Sequence, residues 1–319
     1  MKYAIAVDIG ATNTRVALGS SEGELLEIVV FSTWEARSPE EYIARIARIA
    51  MELEKKHGVV AAGVGVGSPG PLDMKRGEVV NAPNMPFKRI EVVRLLREAL
   101  KRPVAFANDA VTAAVGEKWW GLGRDKENLV YVTISTGIGG GVYVDGELLL
   151  GKEGNAHEIG HMVVDVEGRL VCGCGKRGHW EAYSSGRGIP SLARFLADAD
   201  PALREGTSLP LGSTLTAKDV FDAFRKGDPL ARRVVEWVNR FNACGFANIV
   251  NAYDPELITV GGSVALNNPD VLIQGLRDRV AEYAVNKVPE ITLTKLGPNV
   301  GLLGALALGL GLEKKVPLV

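Results

Sequence analysis

Glutamine is almost missing from this chain: Gln274 is the only one among 319 residues. Depletion of thermolabile amides is a tendency of proteins that work hot, and it bears on stability alone. Cysteine is scarce as well. Cys172, Cys174 and Cys244 are the full complement, and a close pair with one distant residue is not the even, spread-out framework of a secreted disulfide protein. Metal ligation is the expected use of the pair, while Cys244, inside an apolar helical stretch, reads as a core residue. No apolar run approaches the roughly 20 residues that span a bilayer, and no signal-peptide pattern opens the chain. Neither sign of charge dominates: 37 Lys and Arg against 38 Asp and Glu leave −1. With no like-charge tail, nucleic acid and membrane surfaces are not expected partners. The expectation is a cytoplasmic protein that takes a small, near-neutral ligand.

What is present is one plan of strands and helices, used twice. Alternating apolar runs at 3–8, 14–18 and 25–31 read as three strands. Ser38-Pro39-Glu40-Glu41 then has the form of a helix start, and Ile43, Ile46, Ile49, Ala50 and Leu53 follow at helical spacing until Gly58. A strand at 59–66, a helix at 92–100, a strand at 104–107 and a helix at 110–119 complete the first pass. The second pass reads strands at 129–135, 141–144 and 162–166, then helices at 189–196, 217–224 and 229–252. A strand at 257–260, a helix at 269–283, a strand at 291–294 and a helix at 301–312 end it. The fold class is therefore α/β, with two lobes of βββαβαβα order and a ligand cleft expected between them. The lobes are expected at 1–109 plus 300–319 and at 110–299, the larger carrying a metal-bound loop.

Two glycine turns stand at corresponding places. VDIGATNT offers Gly10, Thr12, Asn13 and Thr14 to a phosphate, and Asp8 is suited to hold Mg²⁺, often through water. ISTGIGGG supplies Thr136, Gly137 and Gly139 in the second half. Neither has the context of a P-loop or a dinucleotide fingerprint, and a pair of such hairpins suits a grip on a triphosphate. Gly261, Gly262 and Ser263 follow a later strand and would let a flat base approach the backbone.

Histidine is the other scarce type: four in all, three of them at 157, 161 and 179. Residues 157–161 spell HEIGH, the HExxH of a zinc protease. That chemistry needs both histidines on one helical face. Gly160 inside the stretch, glycines before it and a β-like run after it argue against the helix. His161, Cys172, Cys174 and His179 instead form a compact set of four N and S donors, as a structural zinc requires. A reduced CGC turn with two surface histidines is the bland alternative.

Taken in order, DIGATNT, GSPGPLD, ANDA, STGIGGG, HEIGHM and CGCGKRGHWEAYSSG resemble the ROK family of sugar kinases and repressors, over essentially the whole chain. The resemblance implies the actin-like ATPase (ribonuclease H-like) fold, ATP with Mg²⁺, and a structural Zn²⁺, although the family usually has Cys where His179 stands. It implies phosphorylation of glucose, and of related hexoses, at the 6-hydroxyl, with Asp109 as general base. Read from the residues alone, Asp109 is also a candidate helix N-cap. Ser68, Pro69, Gly70, Asn84, Asn108, Glu158, His161 and Glu181 match the family's sugar-contacting positions, His161 having one ring nitrogen for the sugar and one for the metal. The same motifs serve N-acetylmannosamine, N-acetylglucosamine and fructose kinases. Sugar-responsive repressors of the family carry a DNA-binding segment before the first hairpin, and with a strand from residue 3 none is expected here. Self-association stays open.

Overall fold

The computed structural model describes residues 1–81 and 85–319. It divides into two compact units: unit 1 is Met1–Glu127, Gly141–His157 and Lys295–Val319, and unit 2 is Asn128–Gly140 and Glu158–Thr294. The first sheet contains β1 (Tyr3–Ile9), β2 (Asn13–Ser20), β3 (Leu25–Ser32), β4 (Val64–Ser68) and β8 (Val104–Asn108), in the order β3-β2-β1-β4-β8. A small sheet of β5 (Leu72–Asp73), β6 (Glu78–Val80) and β7 (Arg89–Ile90) branches from it. The helices of this unit are α1 (Pro39–His57), α2 (Val92–Leu100), α3 (Asp109–Trp120) and α12 (Val300–Gly309).

Side-chain size along β1 explains how its sheet is covered. In YAIAVDI the large residues Ile5, Val7 and Ile9 point to one face, where Tyr42, Ile46 and Leu53 of α1 and Leu96 of α2 complete a core. Ala4 and Ala6 point to the other face and meet Leu302, Ala305 and Leu306 of α12. Small residues there let a helix approach closely. At Gly304 a Cβ would lie 1.6 Å from the Thr112 carbonyl oxygen, so α12 and α3 touch through backbone. Being sandwiched explains why α12 is apolar all round. Each large side chain buried in this core contributes about 1.5–3 kcal/mol.

α1 follows its start signal. The Ser38 side chain accepts from Glu41 N, Pro39 opens the helix, and Gly58 ends it at φ 65°. The returning arm differs in detail, since the Glu41 carboxylate accepts from Arg37 N rather than from the cap residue itself.

The second sheet repeats the order of the first: β9 (Leu129–Ile134), β10 (Ile138–Val144), β11 (Glu147–Leu148), β12 (Leu257–Gly261) and β13 (Glu290–Leu293) run β11-β10-β9-β12-β13. Unit 2 holds α4 (Glu181–Ser184), α5 (Gly188–Ala199), α6 (Pro201–Gly206), α7 (Ala217–Arg225), α8 (Pro229–Tyr253), α9 (Ser263–Asn267), α10 (Pro269–Leu272) and α11 (Leu276–Ala281). Three sequence expectations for this half need correction, and in the first half the strand expected at 59–66 is Val64–Ser68. The third strand of this half is β11, not 162–166. The latter stretch makes a single bridge, Val163 to His179, and leaves Val163 and Val166 56% and 94% exposed. Its valines have no sheet face to cover. The helix expected at 269–283 is two, because Gly275 takes φ +69° between them. The strand expected from residue 141 begins at Ile138, so Gly139 lies in a strand and not in the turn. No helix among the described residues is long and apolar enough to cross a membrane.

Candidate active site and metal centre

In unit 1, β1, β4 and β8 are parallel, and their register sets Asp8 opposite Gly67 and Ser68 opposite Asn108. The carboxyl ends of three strands thus bring Asp8, Ser68 and Asn108 to one edge, the usual ligand-binding edge of an open α/β sheet. Asn108 is the cap of α3: its Oδ1 accepts from Ala110 N at 2.9 Å and Val111 N at 3.4 Å. Asp109 is accordingly the first helical residue and not the cap, with Oδ1 2.8 Å from Ala110 N. Capping occupies the carbonyl end of the Asn108 amide, and its Nδ2 lies beside Gly70, 3.8 Å from where a Cβ would stand. Ser68 is fully buried, its hydroxyl donating to the Pro69 carbonyl at 3.2 Å. Asn84 lies outside the described residues.

The first glycine hairpin joins the same edge. Gly10 N donates to the Asn13 carbonyl at 3.0 Å, closing the turn. Thr33 and Trp34 take the remaining carbonyls: Thr33 Oγ1 donates to Gly10 O and Trp34 Nε1 to Ala11 O, each at 2.8 Å, and Thr33 N donates to Thr12 O at 2.9 Å. Thr12 and Asn13 keep exposed side chains, whereas the Thr14 hydroxyl is buried, 2.5 Å from Tyr42 Oη and 2.9 Å from Thr33 Oγ1. Thr14 is therefore placed to hold the turn rather than to meet a ligand. Burial pushes the Tyr42 phenol above its ordinary pKa, which keeps it neutral. Asp8 is paired with Arg15, whose Nε and Nη2 both reach Oδ2, at 3.0 and 2.5 Å. Arg15 Nη1 donates to Asn299 Oδ1 at 3.3 Å. Oδ1 of Asp8 makes no hydrogen bond among the described residues. Sequence reasoning missed Arg15; its signal was a position six residues on from Ile9 in the hairpin, projecting on the same side as Asp8 by the pairing Asp8 to Arg15.

In unit 2 the second hairpin turns at 135–137, where Ser135 N donates to Gly137 O at 2.9 Å and Thr136 is exposed. The Glu181 carboxylate braces it, Oε2 accepting from Ile138 N at 2.9 Å. A Cβ at Gly137 would sit 2.4 Å from that oxygen, so a larger residue there would push the Glu181 carboxylate aside. Gly261 ends β12 and Gly262 follows at φ +86°; a Cβ there would lie 2.5 Å from Ile134 O. Ser263 opens α9 and is exposed.

HEIGH is not an α-helix. Ile159–His161 is one turn of 3-10 helix, and His157 is buried with Nε2 2.8 Å from Gly154 O, outside the cluster of four. His161, Cys172, Cys174 and His179 do come together, their ligand atoms all within 4.8 Å of one another. His161 Nδ1 is 3.2 Å from His179 Nδ1 and 3.7 Å from Cys172 Sγ, and Cys174 Sγ is 3.3 Å from His179 Nδ1. Tetrahedral zinc bonds of about 2.0–2.3 Å give ligand separations of this size. Burial, with a smaller contribution from the Glu181 charge, pushes the Cys172 thiol up to about 12. Burial first, and His161 second, hold His179 below its ordinary value, in the neutral form that ligates. A cation is what would make a thiolate of Cys172. The other nitrogen of His161, Nε2, is 3.6 Å from Glu158 Oε2.

One further residue holds this loop. Trp180 is fully buried between His179 and Glu181 in sequence, and its Nε1 donates to Asn242 Oδ1 of α8 at 2.8 Å. It meets Phe246 edge-on at 5.2 Å, and a Cβ at Gly245 would stand 2.3 Å from its ring. The signal in sequence was a tryptophan amid polar loop residues, beside glycine-rich turns.

Comparisons agree with this architecture. The chain is 40% identical to a glucokinase of Pyrobaculum calidifontis over 311 residues, 96% of this chain and 94% of the relative. Among solved structures it resembles a ROK hexokinase from Thermus thermophilus, at 34% identity and TM-score 0.82, covering 95% of this chain and 96% of the other. A ROK family glucokinase from Streptomyces griseus, solved in complex with glucose and AMPPNP, is similar at 28% identity and TM-score 0.75, covering 98% and 99%. The fold is the actin-like ATPase fold of these kinases. The model of the ROK family matches residues 4–311, and the chain belongs to the ROK family.

Proposed function

We propose that this chain is an ATP-dependent kinase that moves the γ-phosphoryl of ATP to the 6-hydroxyl of glucose. The observation that carries this reading is the parallel register that sets Asp8, Ser68 and the Asn108-capped Asp109 at one sheet edge. Asp109 takes the proton from the attacking hydroxyl, and Asn108 fixes the helix start on which that carboxylate stands. Pro69, Gly70 and the Asn108 amide line the sugar's side of this edge. Oδ1 of Asp8 is the atom for Mg²⁺, directly or through water, with Arg15 holding the carboxylate by its other oxygen. The exposed tips of the two hairpins offer N–H groups and the Thr12 and Thr136 hydroxyls to phosphates. Gly261, Gly262 and Ser263 suit the nucleotide base.

Glu158, His161 Nε2 and Glu181 accept from or donate to the remaining sugar hydroxyls. Zinc fits the donor set of His161, Cys172, Cys174 and His179, with His179 in the fourth place, and its part is structural: it fixes a loop that has little apolar material of its own. A place in the cytoplasm goes with this reading; among the described residues no helix is long and apolar enough to cross a membrane. The test is ADP release with ATP and Mg²⁺ over glucose, mannose, fructose, glucosamine and the N-acetyl sugars. Glucose is expected to give the highest kcat/KM; no activity on any of them would overturn the kinase reading, and preference for an N-acetyl sugar would move the acceptor.

A further inference from the structure

A cavity of about 740 Å³ opens on unit 1 between the turn at 74–77, α2 and the C-terminal segment 315–319. It lies by the amino end of β8, where Val104 and Val319 exchange backbone hydrogen bonds at 2.9 and 3.2 Å. Asn108 and Asp109, at the carboxyl end of that strand, do not line it. Its volume is that of a small-molecule site.

The cavity has two chemical halves. Val93, Phe106 and Val316, all buried, give it an apolar floor. Its rim is cationic. Arg94 is paired with Glu91 and Glu98, Lys315 with Glu147 at 3.1 Å, and Arg76 approaches Asp73 at 3.8 Å. Lys75, Arg97 and Lys101 line it too, with no ion pair among the described residues. Against them Glu98 is the one acidic side chain within the lining. On a chain of net charge −1, this concentration of one sign is a local field that attracts anions.

We propose that this cavity binds a small organic phosphate: the phosphate on Lys75, Arg97 and Lys101, and a flat apolar body on Val93 and Phe106. The site is separate from the one assigned to sugar and ATP.

The experiment uses the full chain and the fluorescent anion 1-anilinonaphthalene-8-sulfonate as probe, with phenyl phosphate and inorganic phosphate as competitors. Wild type is expected to bind the probe saturably. The double substitution Lys75→Glu and Arg97→Glu, on two exposed side chains, is expected to weaken binding at least about tenfold, with an unchanged thermal midpoint. The same reversal at Lys226 and Arg232, in unit 2, is expected to leave it unchanged. Phenyl phosphate is expected to displace the probe at about tenfold lower concentration than inorganic phosphate. Equal affinity in wild type and the Lys75/Arg97 variant, no saturable binding, or equal displacement by the two phosphates would each overturn the proposal.

Discussion

The hairpin at residues 8–15 is held from the apolar core of its own unit. Tyr42, packed between Phe31 and Phe87, reaches Thr14, while Thr33 and Trp34 occupy the carbonyls of the turn. The hairpin at 133–141 is held by one carboxylate, Glu181, and by backbone bonds from Gly186 and Arg187 to the carbonyls of Ser135 and Thr136. Glu181 belongs to a polar loop that leans on a Cys/His cluster at one end and on Trp180 at the other. The first brace is built by folding of the core. On the proposed reading the second depends on a loop held by zinc, and it should fail separately.

The largest difference is expected on removing the metal ligands. Cys172→Ser, or treatment of the wild type with a strong chelator, should lower the thermal midpoint and raise the KM for glucose about ten- to a hundredfold, the usual scale for loss of support around a metal. Zinc content measured beside the kinetics checks this, and a zinc-free wild type with full activity would remove the metal from the account. Next comes Glu181→Gln, which keeps size but loses a charge-assisted bond worth about 1.5–3 kcal/mol. KM for both glucose and ATP should rise with zinc retained; an unchanged KM for ATP would show that the brace on Ile138 is dispensable. The smallest effect belongs to Tyr42→Phe. Thr14 keeps Thr33 as partner, so about 1 kcal/mol of stability is expected to go, with zinc content and glucose KM unchanged. A chelator sensitivity that grew in this variant would erase the distinction between the two hairpins.

The same contrast governs what could be seen in the sequence. Local signals were legible: the Ser38 start and Gly58 end of α1, the two glycine turns, and a Cys/His set whose four donors come together. The absence of a zinc-protease helix followed from glycines around and inside HEIGH. At Gly160 the structural reason is direct, as a Cβ would lie 2.0 Å from Ile138 O. What depended on distant partners was not legible. The β-like valines at 162–166 have no neighbouring strand, and the small sheet of β5, β6 and β7 uses strands of two or three residues, too short for periodicity to register. Asn108 and Asp109 are both good cap residues by type, and only the folded chain shows that Asn108 takes the cap and Asp109 the first helical position. Asn242 on Trp180 joins residues whose relation no spacing rule reveals.

The central claim is that Asp109 acts as the base at an edge whose binding groups are otherwise intact. Asp109→Asn tests it most directly, with glucose affinity measured by calorimetry and turnover by ADP release. The account predicts glucose binding within about threefold of wild type and a kcat lower by about 10²–10⁴-fold. Turnover close to wild type in that variant would contradict it.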